Sequence, residues 1–361
     1  MKKNKIRLFD PYITNEKKII SRVLESKQWA SGSGLQFVQK FEESFRRYID
    51  AKSCVAVNSG TAALHLALST SNIANLEVLI PSLTFVSTAH SVVYNKGRVV
   101  FVDIDPTTLC IDPYDLEKKI SKKTKAIIPV HFGGMAASLE NIIRIAKENK
   151  LFVVEDAAHA SGTKQNGKKI GSHESISCFS FHPVKNLAMP TGGLISINTD
   201  DHKSLKKILL SRRWCGITDR VDVNYDVKEI GWNYYMNEFS AAIGLVQLKN
   251  LDRLNEKRRK TARRYFKELN VERKMPFNPE CSYHFYWILV KNKQEFIKKM
   301  KDVGIETGSH YRPIHTMTMY KTRVKLPETE FVGNAIVTLP THPNLSEKDI
   351  DRIIYYVNRF S

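Results

Sequence analysis

Cysteine is scarce in this 361-residue chain: Cys54, Cys110, Cys178, Cys215 and Cys281 lie far apart and form no CxxC pair. That spacing excludes a disulfide framework and a zinc knuckle and leaves reduced thiols as the expectation. Long apolar runs are lacking as well. The basic start MKKNKIRLFDPYITNEKK holds no apolar stretch of signal-peptide length, and no later stretch approaches a membrane span, so a soluble, cytoplasmic protein is expected. Acidic residues are outnumbered, 37 against 56 basic ones, for a formal net charge of +19. Such an excess suits nucleic acid. Here the lysines and arginines are scattered along helical patterns such as Lys249 to Arg264 and Lys298 to Lys301, with no RNP-like, helix-turn-helix or zinc-finger pattern beside them. A solvated basic surface is therefore expected, and no nucleic-acid partner. Internal repeats and low-complexity linkers are absent, and 42% hydrophobic residues suffice for one large globular unit or two domains.

What is present centres on residues 178 to 193, CFSFHPVKNLAMPTGG, where Lys185 lies between a β-type apolar run and the pair Gly192-Gly193. A lysine amine reacts with carbonyls only when its pKa is lowered and its direction fixed, and a short irregular segment closed by two glycines can do both. Upstream, the run Leu151 to Asp156 (LFVVED) ends in carboxylates. An acid at the end of a buried strand needs a partner. The ring nitrogen of pyridoxal phosphate is such a partner, and a lysine paired with a carboxylate is the minimal equipment of that cofactor's enzymes. A third segment, Cys54 to Val57 followed by Asn58-Ser59-Gly60-Thr61 and then AALHLALS, reads as strand, turn and helix N-terminus. Free amides and the helix dipole converge there on an anion site, to which Gly60, Thr61 and Ala62 are assigned as phosphate holders.

Helices are expected over 14 to 26, capped by Thr14 or Asn15, over Leu35 to Ile49 beyond a loop marked by Gly32 and Gly34, and over 237 to 269 in one proline-free amphipathic pattern. Residues 78 to 80, 98 to 105 and 125 to 130 have the composition and length of buried strands, separated by helical stretches. Alternating strands and helices imply a mostly parallel sheet covered on both faces, with ligands at the carboxyl ends of the strands. FYWILV at 285 to 290 and the helical EFIKKMKDVG at 295 to 304 suggest a smaller α+β cap. A division into 1–245 and 246–361 follows, with the long helix as the bridge.

FSFHPVKN before Gly-Gly, VEDAAHASG at 154 to 162 and SGTAALHLAL at 59 to 68 together resemble the DegT/DnrJ/EryC1/StrS sugar aminotransferases, over nearly the whole chain from about Pro11 to about Ile354. The resemblance implies an α/β chain of the PLP-dependent transferase fold type I: a large domain with a helix-flanked sheet and a smaller C-terminal α+β domain. It implies pyridoxal 5'-phosphate as cofactor, held by Lys185, with Asp156 on the ring nitrogen, Phe85 against the ring face, His159 near the ring and its phenolic oxygen, and Ser180 at the phosphate. It places Asn233 across a homodimer interface, at the neighbouring subunit's cofactor phosphate. His310 and Tyr311 fall on the sugar-nucleotide side, and Trp29 falls where the substrate-side wall begins; packing explains Trp29 equally well. His131 has two readings, pocket lining or a hydrogen-bonded structural histidine, and the role of His182 is open. The implied reaction moves an amino group from L-glutamate to a keto-sugar nucleotide, whose diphosphate a positive field would attract.

Three places depart from the family pattern: Pro190-Thr191-Gly192-Gly193 stands where Gly-Glu-Gly-Gly is common, Tyr235 where arginine is frequent, and the stretch from Tyr320 to Pro340 is shorter than usual. All three bear on substrate choice. The spacing from Lys185 to Gly192-Gly193 resembles members that aminate C4 of the sugar, which implies a 4-keto-6-deoxy acceptor. Family dehydratases carry histidine in place of the lysine, and Lys185 argues against that reaction. A catalytically silent binding protein has no need of the lysine, the aspartate, the phosphate turn and Asn233 together. An amino-cyclitol acceptor stays open.

Overall fold

The structure is a computed structural model that describes residues 5–30, 36–221 and 223–361. Its strands, in chain order, are β1 Ser53–Val57, β2 Glu77–Pro81, β3 Arg98–Val102, β4 Thr124–Ile127, β5 Phe152–Asp156, β6 Lys164–Gln165, β7 Lys168–Lys169, β8 Ile176–Ser180, β9 Gly193–Ile197, β10 Ile217–Val221, β11 Asn224–Val227, β12 Tyr286–Leu289 and β13 Ile336–Leu339. Strand alternation decides how the main sheet is covered. Leu79, Ile127 and Val153 face one apolar cluster, while Val78, Ile80, Ala126 and Val154 face another. Apolar residues on both faces mark strands that are covered on both sides.

Seven strands form that sheet in the order β1-β9-β8-β5-β4-β2-β3. β3, β2, β4, β5 and β8 pair in parallel, and β9 lies antiparallel between β8 and β1. Thus β9 alone runs against the other six, whose carboxyl ends share one edge. The sheet is the mostly parallel one expected, and the chain is α/β with helices on both faces. The helices Gly60–Ser69 and Ser87–Tyr94 cover one face, and Leu139–Glu148 helps cover the other.

The long helix is observed at Glu238–Glu268. Ala241, Ala242 and Leu251 near its start pack with Phe41, Phe45 and Phe181, and Ala262 and Tyr265 near its end pack with Tyr286, Trp287 and Ile288 of the C-terminal part. At roughly 1.5 Å per residue it spans about 46 Å.

Several boundaries shift for local reasons. The first helix begins at Glu16, and the Asn15 side chain makes no cap bond; the Glu16 carboxylate instead folds back to accept the Thr14 amide. The second helix runs Phe37–Ile49, and Gly32, Gly34 and Leu35 lie outside the described residues. β3 stops before 103 to 105 because Asp105 Oδ1 accepts the amides of Thr107 and Thr108, at 3.0 and 2.7 Å, and turns the chain. The hairpin β10–β11 is an element the apolar pattern does not announce: Val221, Val223, Tyr225 and Val227 are all exposed. Four cysteines are buried as free thiols and Cys215 is exposed. No helix among the described residues is long and apolar enough to cross a membrane.

Candidate active site

The carboxyl edge of the sheet opens into a cavity of about 380 Å³. Lys185 enters it from the connection between β8 and β9. The antiparallel pair Ser180↔Gly193 closes that connection. Inside it, the Phe181 amide donates to Gly192 O at 2.9 Å, Met189 N to Phe181 O at 2.8 Å and Lys185 N to His182 O at 2.8 Å. None of these bonds uses the lysine side chain, which is left for chemistry. Gly193 has a steric reason to be glycine: a Cβ there would come 2.3 Å from Ser59 O. Thr191, in place of the family's usual glutamate, donates its hydroxyl to Asn58 O. That bond fastens the lysine loop to the turn before the helix Gly60–Ser69.

In that turn Ser59 is the N-cap, and its Oγ accepts from Ala62 N at 3.1 Å. The Ala62 amide is thus already used, and the anion site narrows to Gly60 and Thr61, whose amides have no acceptor within the helix. A Cβ on Gly60 would meet Ser180 Cβ at 2.7 Å, so the turn and the end of β8 can touch only at a glycine. Thr61 Oγ1 lies 2.7 Å from Ser87 Oγ. Ser59, Gly60, Thr61, Ser87 and Ser180 line one wall of the cavity.

Asp156, at the end of β5, is buried. Thr88 Oγ1 donates to its Oδ2 at 2.8 Å and the Ala158 amide to its Oδ1 at 3.1 Å. Burial pushes the Asp156 carboxyl up, against the pull of Thr88, Ala158 and Lys185. Lys185 moves the other way. Burial lowers its amine to about 8, with Asp156 opposing. A lysine is a nucleophile only when deprotonated, so reductive capture of a small aldehyde at Lys185 should accelerate about tenfold per pH unit and level off near pH 8. Peptide mapping by mass spectrometry across a pH series measures this; a rate still climbing toward the ordinary lysine range would show an amine that the cavity does not desolvate.

His159 is buried on the opposite wall, where burial and the nearby Lys185 hold its imidazole well below its ordinary pKa. The Gly133 amide donates to Nδ1 at 3.3 Å, which leaves the proton of the neutral ring on Nε2, 3.2 Å from the Tyr311 hydroxyl. The ring stacks on His284 with centroids 4.6 Å apart. His310 bonds Thr338 Oγ1 through Nδ1 at 2.8 Å, and burial with Lys185 lowers it to about 4. Phe85 is 56% exposed, so it is no core residue; its ring borders the cavity 5.9 Å from that of Tyr311.

Gly60, Thr61, Phe85, Asp156, His159, Ser180, Lys185, His310 and Tyr311 all line this one cavity, as does His182. Asn233 does not line it; its carbonyl accepts from Asn58 Nδ2 at 3.3 Å. Nor does Trp29, which packs on Phe239. His131 proves structural: buried, it bonds Glu155 through Nε2 at 2.9 Å and accepts the Ala137 amide on Nδ1 at 3.1 Å. Burial opposes the Glu155 charge, yet His131 and Ser175 hold that carboxyl below its ordinary value. Sequence reasoning missed Phe9, Thr84 and Thr88 in the site and His284 behind it. Only Thr84 and Thr88, in the strand-to-helix turn after β2, carried a local signal.

The model of the DegT/DnrJ/EryC1/StrS aminotransferase family matches residues 12–358. GDP-perosamine synthase of Escherichia coli O157:H7 is 34% identical over 364 residues, covering 98% of each chain. Among solved structures, PseC of Helicobacter pylori, an aminotransferase of pseudoaminic acid biosynthesis, superposes with a TM-score of 0.92 at 28% identity over 99% of both chains. The PLP form of Spr1654 from Streptococcus pneumoniae gives 0.92 at 25% identity, over 99% of this chain and 98% of that one. With a lysine, a buried carboxylate and an anion turn meeting in one cavity, the chain belongs to the DegT/DnrJ/EryC1/StrS family and is a pyridoxal-phosphate-dependent sugar aminotransferase.

Proposed function

We propose that the enzyme moves an amino group from L-glutamate to a keto-sugar carried on a nucleotide, of the 4-keto-6-deoxy kind, and that it does so as a cytoplasmic homodimer. The observation that carries this reading is the convergence of Lys185, Asp156 and the Gly60–Thr61 turn on one cavity. The donor set fits pyridoxal phosphate. Gly60, Thr61 and Ser180 would hold its phosphate, Asp156 the proton on its ring nitrogen, Phe85 one ring face, and His159, steadied by Tyr311, the neighbourhood of its phenolic oxygen. When bound, the cofactor supplies an electron sink for the pair of electrons left on the donor's α-carbon.

The protein's own part is positioning and proton transfer. Lys185 anchors the cofactor and, once released, takes the proton from the α-carbon of the donor through Nζ. An amine with a pKa of about 8 suits both duties near neutral pH. Asp156 supports the ring nitrogen's positive charge. A cation beside it favours the ionised carboxylate, against the upward push of burial. The name of the E. coli relative supports a nucleotide-linked sugar, and the short span from Lys185 to Gly192-Gly193 supports amination at C4. Asn233, outside its own cavity, is assigned to the cofactor phosphate of the second copy. The larger part, 1–245, carries the cofactor residues, and 246–361 contributes His310 and Tyr311.

The test is the visible spectrum of the cofactor-loaded protein. Excess L-glutamate should convert it to the amine form of the cofactor, and a nucleotide-linked 4-keto-6-deoxy sugar should restore it. A spectrum unmoved by L-glutamate would refute the donor, and a failure of every such sugar to restore it would refute the acceptor.

A further inference from the structure

Thr191 lines the cavity at a place where this chain departs from its family's pattern, and the hydroxyl it brings makes a bond that the usual glutamate cannot. An ionised carboxylate only accepts hydrogen bonds, whereas the Thr191 hydroxyl donates to the carbonyl of Asn58. What that bond steadies depends on the other contacts of Asn58.

Every polar group of Asn58 is occupied. Its carbonyl accepts from Thr191, its amide donates to Tyr234 O at 2.7 Å, its Nδ2 donates to Asn233 O at 3.3 Å, and its Oδ1 accepts from Ser59 Oγ at 3.4 Å. Residues 233 and 234 thus hang between two supports. On the far side Tyr234 N donates to Arg213 O at 2.8 Å, and Asn233 bridges to Trp214. These contacts hold the backbone of Asn233 and leave its side chain out. Asn233 is exposed, and its side-chain amide forms no hydrogen bond among the described residues. The phosphate turn beside Asn58 has firmer support of its own. Ser59 Oγ caps its helix, Gly60 fits against Ser180 only for want of a Cβ, and Gly193 closes on Ser59 O in the same way. Loss of the Thr191 bond is therefore felt at residues 233 and 234 before it is felt at Gly60 and Thr61.

We propose that Thr191 is a positioning residue for the neighbouring subunit's cofactor: by fixing Asn58 it fixes the backbone from which Asn233 reaches the phosphate in the second copy. The inference rests on the cross-subunit role of Asn233 proposed above. It ties the lysine loop of one active site to the phosphate contact of the other through the bonds Thr191 to Asn58 and Asn58 to Asn233, a contiguous network between the two sites of a dimer. One hydroxyl-to-carbonyl bond sets the scale of that link at about two- to tenfold in cofactor affinity.

Mixed dimers, co-expressed under two affinity tags, test it, because only a subunit that keeps Lys185 forms the visible band of the anchored cofactor. One subunit is wild type and the other carries Lys185→Ala, so titrating the cofactor-free dimer with pyridoxal phosphate reads the wild-type site alone. Adding Thr191→Val to the Lys185→Ala subunit should raise the Kd of that site about two- to tenfold, while Thr191→Ser, which keeps the hydroxyl, should not. Asn233→Ala in the same subunit should raise it at least as much. Moving Thr191→Val to the subunit that keeps Lys185 should leave Kd close to that of the parent dimer. The inference is overturned if Asn233→Ala raises Kd and Thr191→Val beside Lys185→Ala does not, or if Thr191→Val raises it equally from either subunit. If Asn233→Ala leaves Kd unchanged, or if the chain stays monomeric, the cross-subunit reading falls and the inference with it.

Discussion

Lys185→Ala should bring amino transfer to a halt while the protein stays folded. The lysine loop is held by backbone bonds among Phe181, His182, Lys185, Met189 and Gly192, none of which uses the lysine side chain. Trimming that side chain therefore leaves the fold alone. Catalytically it removes one amine that serves twice, as the anchor of the cofactor and as the base at the donor α-carbon. Loss of a positioned base alone costs roughly 100- to 10,000-fold. Loss of the anchor comes on top, so a fall of kcat by about 10,000-fold or more is expected. Rapid-mixing absorbance with L-glutamate reads the step directly, and circular dichroism checks the fold. A variant retaining a hundredth of the wild-type rate would show that the base lies elsewhere.

The second large effect is expected from Asp156→Asn. The amide is nearly the same size and still has one oxygen for either Thr88 or the Ala158 amide, although no longer for both. It has no charge to hold a protonated ring nitrogen, so the cofactor loses much of its capacity to take up electrons. The half-reaction with L-glutamate should slow by roughly 100- to 10,000-fold, the range expected when one proton-holding group is removed. Phosphate-side binding of the cofactor should persist, because Gly60, Thr61 and Ser180 are untouched. An unchanged rate would mean that Asp156 serves only to bond Thr88 and Ala158. Lys185→Ala should also abolish the visible band of the anchored cofactor, which Asp156→Asn should preserve.

Patterns of two and 3.6 residues made the architecture legible. Apolar runs marked β2 to β5, and the proline-free span from 237 to 269 marked the long helix almost to the residue. Local chemistry made half of the site legible: a lysine before two glycines, an acid at a strand end, and Ser-Gly-Thr ahead of a helix are each a signal carried by one short stretch. What sequence spacing could not show was contact across the fold. Phe9 enters the cavity from the N-terminal segment, and Thr88 donates to Asp156 from a different strand-to-helix turn. His131 illustrates the reverse. It sits at a strand end facing the ligand edge, yet Glu155 and the Ala137 amide take both its nitrogens. Neither its place in the sequence nor its residue type distinguishes that from a binding role. The reversed strand β9 is likewise a pairing fact: its run Gly193–Ile197 is as apolar as its parallel neighbours.

The distribution of the cysteines has a practical consequence. Burial pushes the Cys110 thiol up to about 12 and those of Cys54, Cys178 and Cys281 upward as well, so these four stay protonated and unreactive at neutral pH. Maleimide chemistry on the native protein is thereby confined to the exposed Cys215, whose amide bonds Trp232 O next to Asn233. The wild-type chain thus carries a single labelling address beside the residue assigned to the neighbouring copy. A fluorophore there would report subunit exchange without any engineered cysteine.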